Sequence, residues 1–106
     1  MEIKYSVASR VKLEEIKNFS GKSTVEKIVK KIDGLAEQPF MGPSIGKLVN
    51  VTSPYRFLYV CRRFVFYRVK NDFVLVIDIF HEKENFLSRL FGISLRTEES
   101  RDYWGE

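Results

Sequence analysis

Residues 55–80 contain three strand-like segments in close succession, and this feature limits the fold more than any other. The segments are rich in aromatic and β-branched residues and are separated by short gaps: Tyr55–Val60, Arg63–Val69 and Phe73–Phe80. Such residues favour strands, and gaps of about two residues can join strands only when these run antiparallel. The turn-forming residues Asn71 and Asp72 lie in the second gap. We therefore expect an antiparallel β-meander.

The part of the chain before this region has helical rather than strand periodicity. Apolar residues recur at intervals of three and four through residues 9–37, and the pattern breaks at residues 19–24. This spacing predicts two amphipathic helices joined as a hairpin. Ser23 followed by Glu26 has the spacing of a capping box, which predicts the start of the second helix at this point.

Two shorter elements complete the predicted fold. Alternation of apolar and polar residues at Ile3, Tyr5 and Val7 predicts a short N-terminal strand. Apolar residues at helical spacing in residues 86–91, followed by Gly92, predict a short closing helix. The expected fold class is α+β, in the order N-terminal strand, two-helix hairpin, antiparallel β-meander and short C-terminal helix.

The length of the chain limits it to one domain. It has 106 residues, and compact domains commonly contain roughly 100–150. We assign residues 1–92 to this domain and residues 93–106 to a polar C-terminal tail. The longest apolar run, Phe73–Ile77, is far shorter than the ~20 residues that span a bilayer, so we expect no membrane association.

Cysteine content limits the chemistry available to the chain. Cys61 is the only cysteine, which excludes a disulfide within the chain and any multi-cysteine zinc or iron–sulfur site. This composition is typical of a reducing compartment, and we expect a cytoplasmic protein. We expect neither a metal nor a small-molecule cofactor.

Strand alternation sorts the side chains of the sheet onto two faces, provided that both turns contain two residues. We expect the aromatic face to pack against the helices as the core: Tyr55, Phe57, Tyr59, Phe64, Phe66, Phe73, Leu75, Ile77 and Ile79. The same register predicts three polar pairs across the strands: Arg56 with Tyr67, Arg63 with Asp78, and Arg62 with His81.

Positive charge is concentrated in the middle of the chain. The net charge is +4, and residues 51–80 contain five basic and two acidic side chains. A basic centre attracts polyanions such as nucleic acid, or an acidic protein. The candidate residues for such binding are Lys47, Arg62, Arg68 and Lys70. Charges at a hairpin edge also prevent unwanted strand pairing, so both interpretations remain open.

The segment from Pro54 to His81 resembles the C-terminal half of the RelE/ParE superfamily of bacterial toxins. It contains an arginine-bearing strand, a strand ending in Tyr67-Arg-Val69, a polar turn, and an apolar strand closing on His81. The loop Gln38-Pro-Phe-Met-Gly-Pro43 is similar to the Pro-x-x-Gly connection of that superfamily. Together the resemblance covers residues 2–91.

This resemblance implies a toxin of a two-gene toxin–antitoxin system, held inactive by a cognate antitoxin protein. RelE-like members cut messenger RNA on the ribosome, whereas ParE-like members inhibit DNA gyrase and need no nuclease chemistry. The residues from Glu82 to Phe86 are acidic where RelE-like nucleases have arginine and tyrosine. The resemblance therefore favours a ParE-like toxin that arrests bacterial growth by inhibiting gyrase.

Two alternatives remain. A RelE-type nuclease needs a base, an acid and cations around the scissile phosphate, and the candidate catalytic residues are His81, Arg56, Arg63 and Tyr67. Each of these also has a structural interpretation, such as a hydrogen-bonded histidine at a strand end. The other alternative is an inactive member that serves as a binding module for a peptide or nucleic acid.

Overall fold

A computed structural model of the protein describes residues 1–46 and 53–84. The elements are β1 (Glu2–Tyr5), α1 (Val7–Ser20), α2 (Lys22–Asp33), a short 3-10 helix (Gly34–Ala36), β2 (Tyr55–Val60), β3 (Arg63–Val69) and β4 (Phe73–His81). This order confirms the predicted α+β class. The predicted C-terminal helix, the tail at residues 93–106 and Lys47 lie outside the described residues. No helix in the described ranges is both long enough and apolar enough to span a membrane.

The sheet has the strand order β1-β4-β3-β2. Strand β1 runs parallel to β4, and the other neighbours are antiparallel. Both predicted two-residue turns are present. Cys61 and Arg62 have φ angles of 52° and 62°, as a mirror-image hairpin turn requires, and Lys70 N donates to Phe73 O at 2.8 Å across the second turn.

The helix hairpin bends at Gly21. Its φ of 92° and ψ of 165° place it in a region that only glycine enters freely. Helix α2 begins at the next residue, without a side-chain cap. The predicted start at Ser23 is therefore wrong, because the glycine ends one helix and starts the other within a single residue. Helix α1 does have a polar cap, since Ser6 Oγ accepts a hydrogen bond from Ser9 N at 3.0 Å.

The predicted assignment of the two sheet faces is wrong for every residue of the predicted core except Ile79. The face packed against the helices is mainly aliphatic, and it contributes Leu58, Val65, Tyr67, Val74, Val76 and Ile79 to a core shared with Ile16, Ile28, Ile32 and Leu35. The phenylalanines predicted to meet the helices lie on the other face, where Phe66 contacts Phe80 with a ring separation of 5.8 Å. Both faces are apolar, so alternation separates the two sets of residues without indicating which set meets the helices.

A β-bulge interrupts the pairing of β3 with β4. Tyr67 pairs with Val76, but Phe66 pairs with Asp78, which leaves Ile77 as an extra residue in β4. Every later residue of β4 is displaced by one position. The predicted pair Arg56 with Tyr67 joins β2 and β3, whose register is uninterrupted, and it is confirmed.

The other two predicted pairs are wrong because of this displacement. Arg63 lies opposite His81, whereas the uninterrupted register placed Arg62 there. Asp78 is not the partner of Arg63, because it lies 3.4 Å from Lys12 Nζ instead. A single inserted residue thus changes which charged side chains of the sheet meet.

Helix α1 covers the edge of β4 beyond the end of β1. Ser6 N donates to Val76 O at 2.9 Å, and Lys12 Nζ donates to Ile79 O at 2.9 Å. The ammonium group of Lys12 also lies 4.2 Å from the ring centroid of Phe80. Lys12 therefore satisfies both a strand carbonyl and the largely buried carboxylate of Asp78, at the point where the sheet lacks a neighbouring strand.

The connection at residues 39–45, called the 39–45 loop below, is attached to the outer edge of β2. Phe57 N donates to Pro43 O at 3.1 Å, and Ile45 N donates to Tyr55 O at 2.9 Å. Gly42 N donates to the hydroxyl of the buried Tyr67 at 2.9 Å. A Cβ atom on Gly42 would collide with Phe57 O and would lie 2.8 Å from the Tyr67 hydroxyl. Only glycine therefore fits at this position.

The contacts of Lys12 predict a measurable loss of stability when its charge is removed. We expect Lys12→Met to lower the free energy of unfolding by about 1–3 kcal/mol, because Ile79 O and the Asp78 carboxylate lose their partner. Urea denaturation followed by circular dichroism measures this. Lys27→Met, at an exposed position of α2, is the matched control and should change the value by no more than about 0.5 kcal/mol. Equal effects of the two substitutions would contradict the assigned role of Lys12.

Replacing Gly42 of the 39–45 loop and Gly34 of the 3-10 helix by alanine should have different effects on stability. We expect Gly42→Ala to destabilise the fold by about 1–3 kcal/mol or more, because the clash is with backbone. Gly34 has a helical φ of −60°, and a Cβ there would meet only the methyl of Met41 at 3.7 Å. Gly34→Ala should therefore be neutral or stabilise by about 0.4–1 kcal/mol. A Gly42→Ala protein with an unchanged urea midpoint would show that the loop is not held closely against β2.

Candidate functional site

The candidate residues form two separate pairs on the sheet. Arg56 lies opposite Tyr67 across β2 and β3, and Arg63 lies opposite His81 across β3 and β4. Since Arg63 and Tyr67 are four positions apart on β3, the pairs are separated by about 13 Å at ~3.3 Å per residue. The structure therefore brings the candidates together two by two rather than as one site.

The first pair holds the 39–45 loop. Arg56 Nε donates to Gly42 O at 2.7 Å, and its Nη2 donates to Phe40 O at 3.4 Å. The guanidinium carbon lies 5.2 Å from the centre of the Phe40 ring, within the range of a cation–π contact. The Tyr67 hydroxyl accepts from Gly42 N on the other side. Both residues are thus engaged with the loop.

The environment of Tyr67 keeps its phenol protonated near neutral pH. Burial raises the pKa of Tyr67 above its usual value, and this effect outweighs the opposing influences of Gly42 N–H and of Arg56. A phenol in this state is a poor general base. Its geometry suits a structural hydrogen bond, and the core position of the ring fixes where the hydroxyl lies.

The second pair lies in a groove between α1 and the end of the sheet. The groove has a volume of about 160 Å³ and is lined by Lys12, Glu15, Ile16, Phe19, Arg63, Ile79, His81 and Glu84. Arg63 Nη1 donates to Cys61 O at 2.8 Å, and Nη2 donates to Ser20 Oγ at 3.1 Å. Its guanidinium therefore connects the β2–β3 turn to the end of α1.

The imidazole of His81 is oriented by the chain that follows it. His81 Nδ1 accepts a hydrogen bond from Lys83 N at 3.2 Å, and His81 N donates to Glu84 Oε2 at 2.8 Å. A neutral imidazole that accepts at Nδ1 carries its proton on Nε2. Two carboxylates, Glu15 and Glu84, line the same groove, so a phosphate entering it would meet negative as well as positive charge.

Glu82, which directly follows β4, contacts the β2–β3 turn. Glu82 N donates to Arg62 O at 2.9 Å, and the Tyr59 hydroxyl donates to Glu82 Oε1. This hydrogen bond is the main cause of a raised pKa at Tyr59, with burial and the charge of Glu82 adding to it. Arg62 Nε lies 4.0 Å from Glu82 Oε2. Arg62, predicted to bind a polyanion, thus has a carboxylate beside it.

The other basic candidates lie at the opposite end of the meander. Arg68, Lys70 and Phe73 line a shallow depression at the β3–β4 turn. The Arg68 guanidinium is 6.0 Å from the centre of the Tyr55 ring, and Lys4 Nζ is 4.4 Å from the centre of the Phe73 ring. Within residues 1–46 and 53–84, no group of three or more His, Cys, Asp or Glu side chains is placed to hold a metal.

The sequence interpretation missed the exposed apolar tip of the 39–45 loop. The side chains of Phe40 and Met41 are 64% and 41% exposed, although the loop backbone is firmly bonded to β2 and Tyr67. Their position between Pro39 and Gly42 was the available signal, because a loop of this composition lies at the surface and its apolar side chains are then exposed.

Comparison with known proteins relates this arrangement to one family. The profile of the family described as "ParE toxin of type II toxin-antitoxin system, parDE" matches residues 3–86. A search of curated proteins found no match. Among solved structures, "Chromosomal ParDE TA system from P. aeruginosa" is similar in fold, with a TM-score of 0.61 and 17% sequence identity. The similarity covers 76% of this chain and 95% of that one.

The family match extends over β1, both helices and all three strands of the meander. It includes the 39–45 loop and the Arg56–Tyr67 pair, as well as the Arg63–His81 groove. The predicted resemblance to RelE/ParE toxins is confirmed, and the match is to the ParE-like members. The chain therefore belongs to the ParE toxin family of parDE type II toxin–antitoxin systems.

Proposed function

We propose that this toxin arrests bacterial growth by binding DNA gyrase and inhibiting it, without nuclease chemistry. As a type II toxin it has a cognate antitoxin as its partner. The observation that carries the proposal is the separation of the candidate catalytic residues into two pairs about 13 Å apart along β3. Inhibition by binding requires no convergence of acid, base and cation.

Cleavage of RNA makes a stricter demand on geometry. The base must reach the attacking 2′-hydroxyl, and the acid must reach the leaving oxygen, each within about 3 Å of its proton partner. Arg56 and Tyr67 are both engaged with the 39–45 loop. Of the four candidates, only Arg63 and His81 border the groove, which leaves that site with one imidazole and one guanidinium.

The charge around the groove also favours a protein target over an RNA backbone. Glu15 and Glu84 line the groove itself, and Glu82 lies 4.0 Å from Arg62 at the β2–β3 turn. Carboxylates in this position repel phosphates, whereas mixed charge is common where two proteins meet. This distribution supports inhibition by a protein contact.

The first test separates the two targets in cells and with purified protein. After induction of the chain without its antitoxin, we expect incorporation of labelled thymidine to fall before that of labelled amino acids. We also expect the purified toxin to inhibit DNA supercoiling by gyrase. A fall in amino acid incorporation first, with unimpaired supercoiling, would contradict the proposal and support messenger RNA cleavage.

The second test removes the one side chain best suited to proton transfer. We expect His81→Asn to retain growth arrest within about twofold, because the Asn oxygen can replace Nδ1 as the acceptor for Lys83 N while Nε2 is lost. The induction level needed for arrest measures this, and a thermal melt shows whether the variant is folded. Loss of arrest by about a hundredfold or more in a folded protein would point to acid–base catalysis.

A further inference from the structure

We propose that the Phe40-Met41 tip, meaning the side chains of Phe40 and Met41 on the 39–45 loop, inserts into an apolar, acid-rimmed pocket on the enzyme that this toxin inhibits. The identity of that enzyme as gyrase rests on the proposed function. The contact surface itself is inferred from how the loop is built.

The tip combines exposure with rigid support. Phe40 is 64% exposed and Met41 41% exposed, and an aromatic ring in water forgoes the stabilisation that burial provides. Exposed loop residues are usually mobile, but this loop is fixed by hydrogen bonds to Tyr67, Arg56 and the edge of β2. A rigid apolar projection loses little conformational entropy on binding, which favours affinity.

The supporting contacts run mainly through backbone atoms of the loop. The loop atoms that form hydrogen bonds with β2, Arg56 or Tyr67 include Gly42 N, Gly42 O, Phe40 O and Pro43 O. The Phe40 side chain adds only its contact with Arg56, and the Met41 methyl lies over Gly34. The two side chains are therefore largely dispensable for holding the loop, which leaves them available for a partner.

The residues at the tip match the composition of interface hot spots. Aromatic residues, Met and Arg are enriched at the centres of protein interfaces. The Arg56 guanidinium lies 5.2 Å from the centre of the Phe40 ring, so positive charge accompanies the apolar group. Arg56 also donates to two carbonyls of the same loop, which holds its charge beside the tip. A pocket with an apolar floor and carboxylates on its rim is the complement of this surface.

The experiment compares two serine variants of the full chain. We expect Phe40→Ser with Met41→Ser to raise the toxin concentration needed for growth arrest and for gyrase inhibition by about tenfold or more. Val7→Ser is the matched control, because Val7 is 77% exposed at the start of α1, far from the loop in sequence. It should stay within about twofold. Thermal melts verify that both variants are folded.

A second pair of variants tests the predicted acidic rim. Phe40→Lys and Phe40→Glu remove the same ring and introduce opposite charges at one position. With carboxylates around the pocket, we expect Phe40→Glu to lose several-fold more inhibition than Phe40→Lys. Should the double serine variant fail to fold, this pair still measures the contact, since both proteins carry a single charged substitution.

The outcomes for the contact and for gyrase are distinguishable. If the double serine variant is folded and inhibits as well as the wild type, the Phe40-Met41 tip is not the contact. A wild-type dimer that dissociates in this variant, with toxicity unchanged, would assign the tip to a second copy of the chain and also overturn the inference. If growth arrest depends on the tip but gyrase is unaffected by the wild type, the contact is supported and the gyrase proposal fails.

Discussion

The bulge at Ile77 in β4 determines which side chains of the sheet meet. Because one residue is inserted, Val76 and Ile79 both face the helices and join the core. The same shift moves Asp78 from the helix-facing side to a position opposite Phe66 and brings His81 opposite Arg63. A regular strand would place Ile79 on the aromatic face. The groove, the edge of the sheet covered by α1 and part of the core therefore all depend on this local irregularity.

Arg56 and Tyr67 lie opposite each other across β2 and β3, and both bind the 39–45 loop. In a nuclease, an arginine and a tyrosine on neighbouring strands would be suited to binding a phosphate and moving a proton. Here the guanidinium binds two loop carbonyls and the phenol binds a loop amide. Each polar group is thereby satisfied within the chain. The consequence is a fixed loop conformation.

The sequence predicted the bounds of β2 and β3, both two-residue turns, the helix hairpin and the Arg56–Tyr67 pair because these follow from local patterns. It did not predict the bulge, since nothing in Phe73–Phe80 distinguishes an inserted residue from a regular alternation. The prediction of which sheet face meets the helices was wrong because both faces are apolar. Which face packs there depends on shape complementarity with Ile16, Ile28 and Ile32. At the candidate site, the sequence predicted which residues are candidates. It could not predict that Arg63 pairs with His81, because this depends on the β3–β4 register after the bulge.

The parallel pairing of β1 with β4 links the first strand of the chain to its last described strand. Glu2 lies beside Phe73 in register, so the chain must close a long loop before this pairing forms, and such long-range contacts slow folding. During synthesis, β1 has no neighbouring strand until β4 has left the ribosome, and until then the core lacks the three buried residues that β4 supplies, Val74, Val76 and Ile79. A translation product that stops before residue 73 therefore has no complete core, and the toxin becomes able to act only late in its own synthesis.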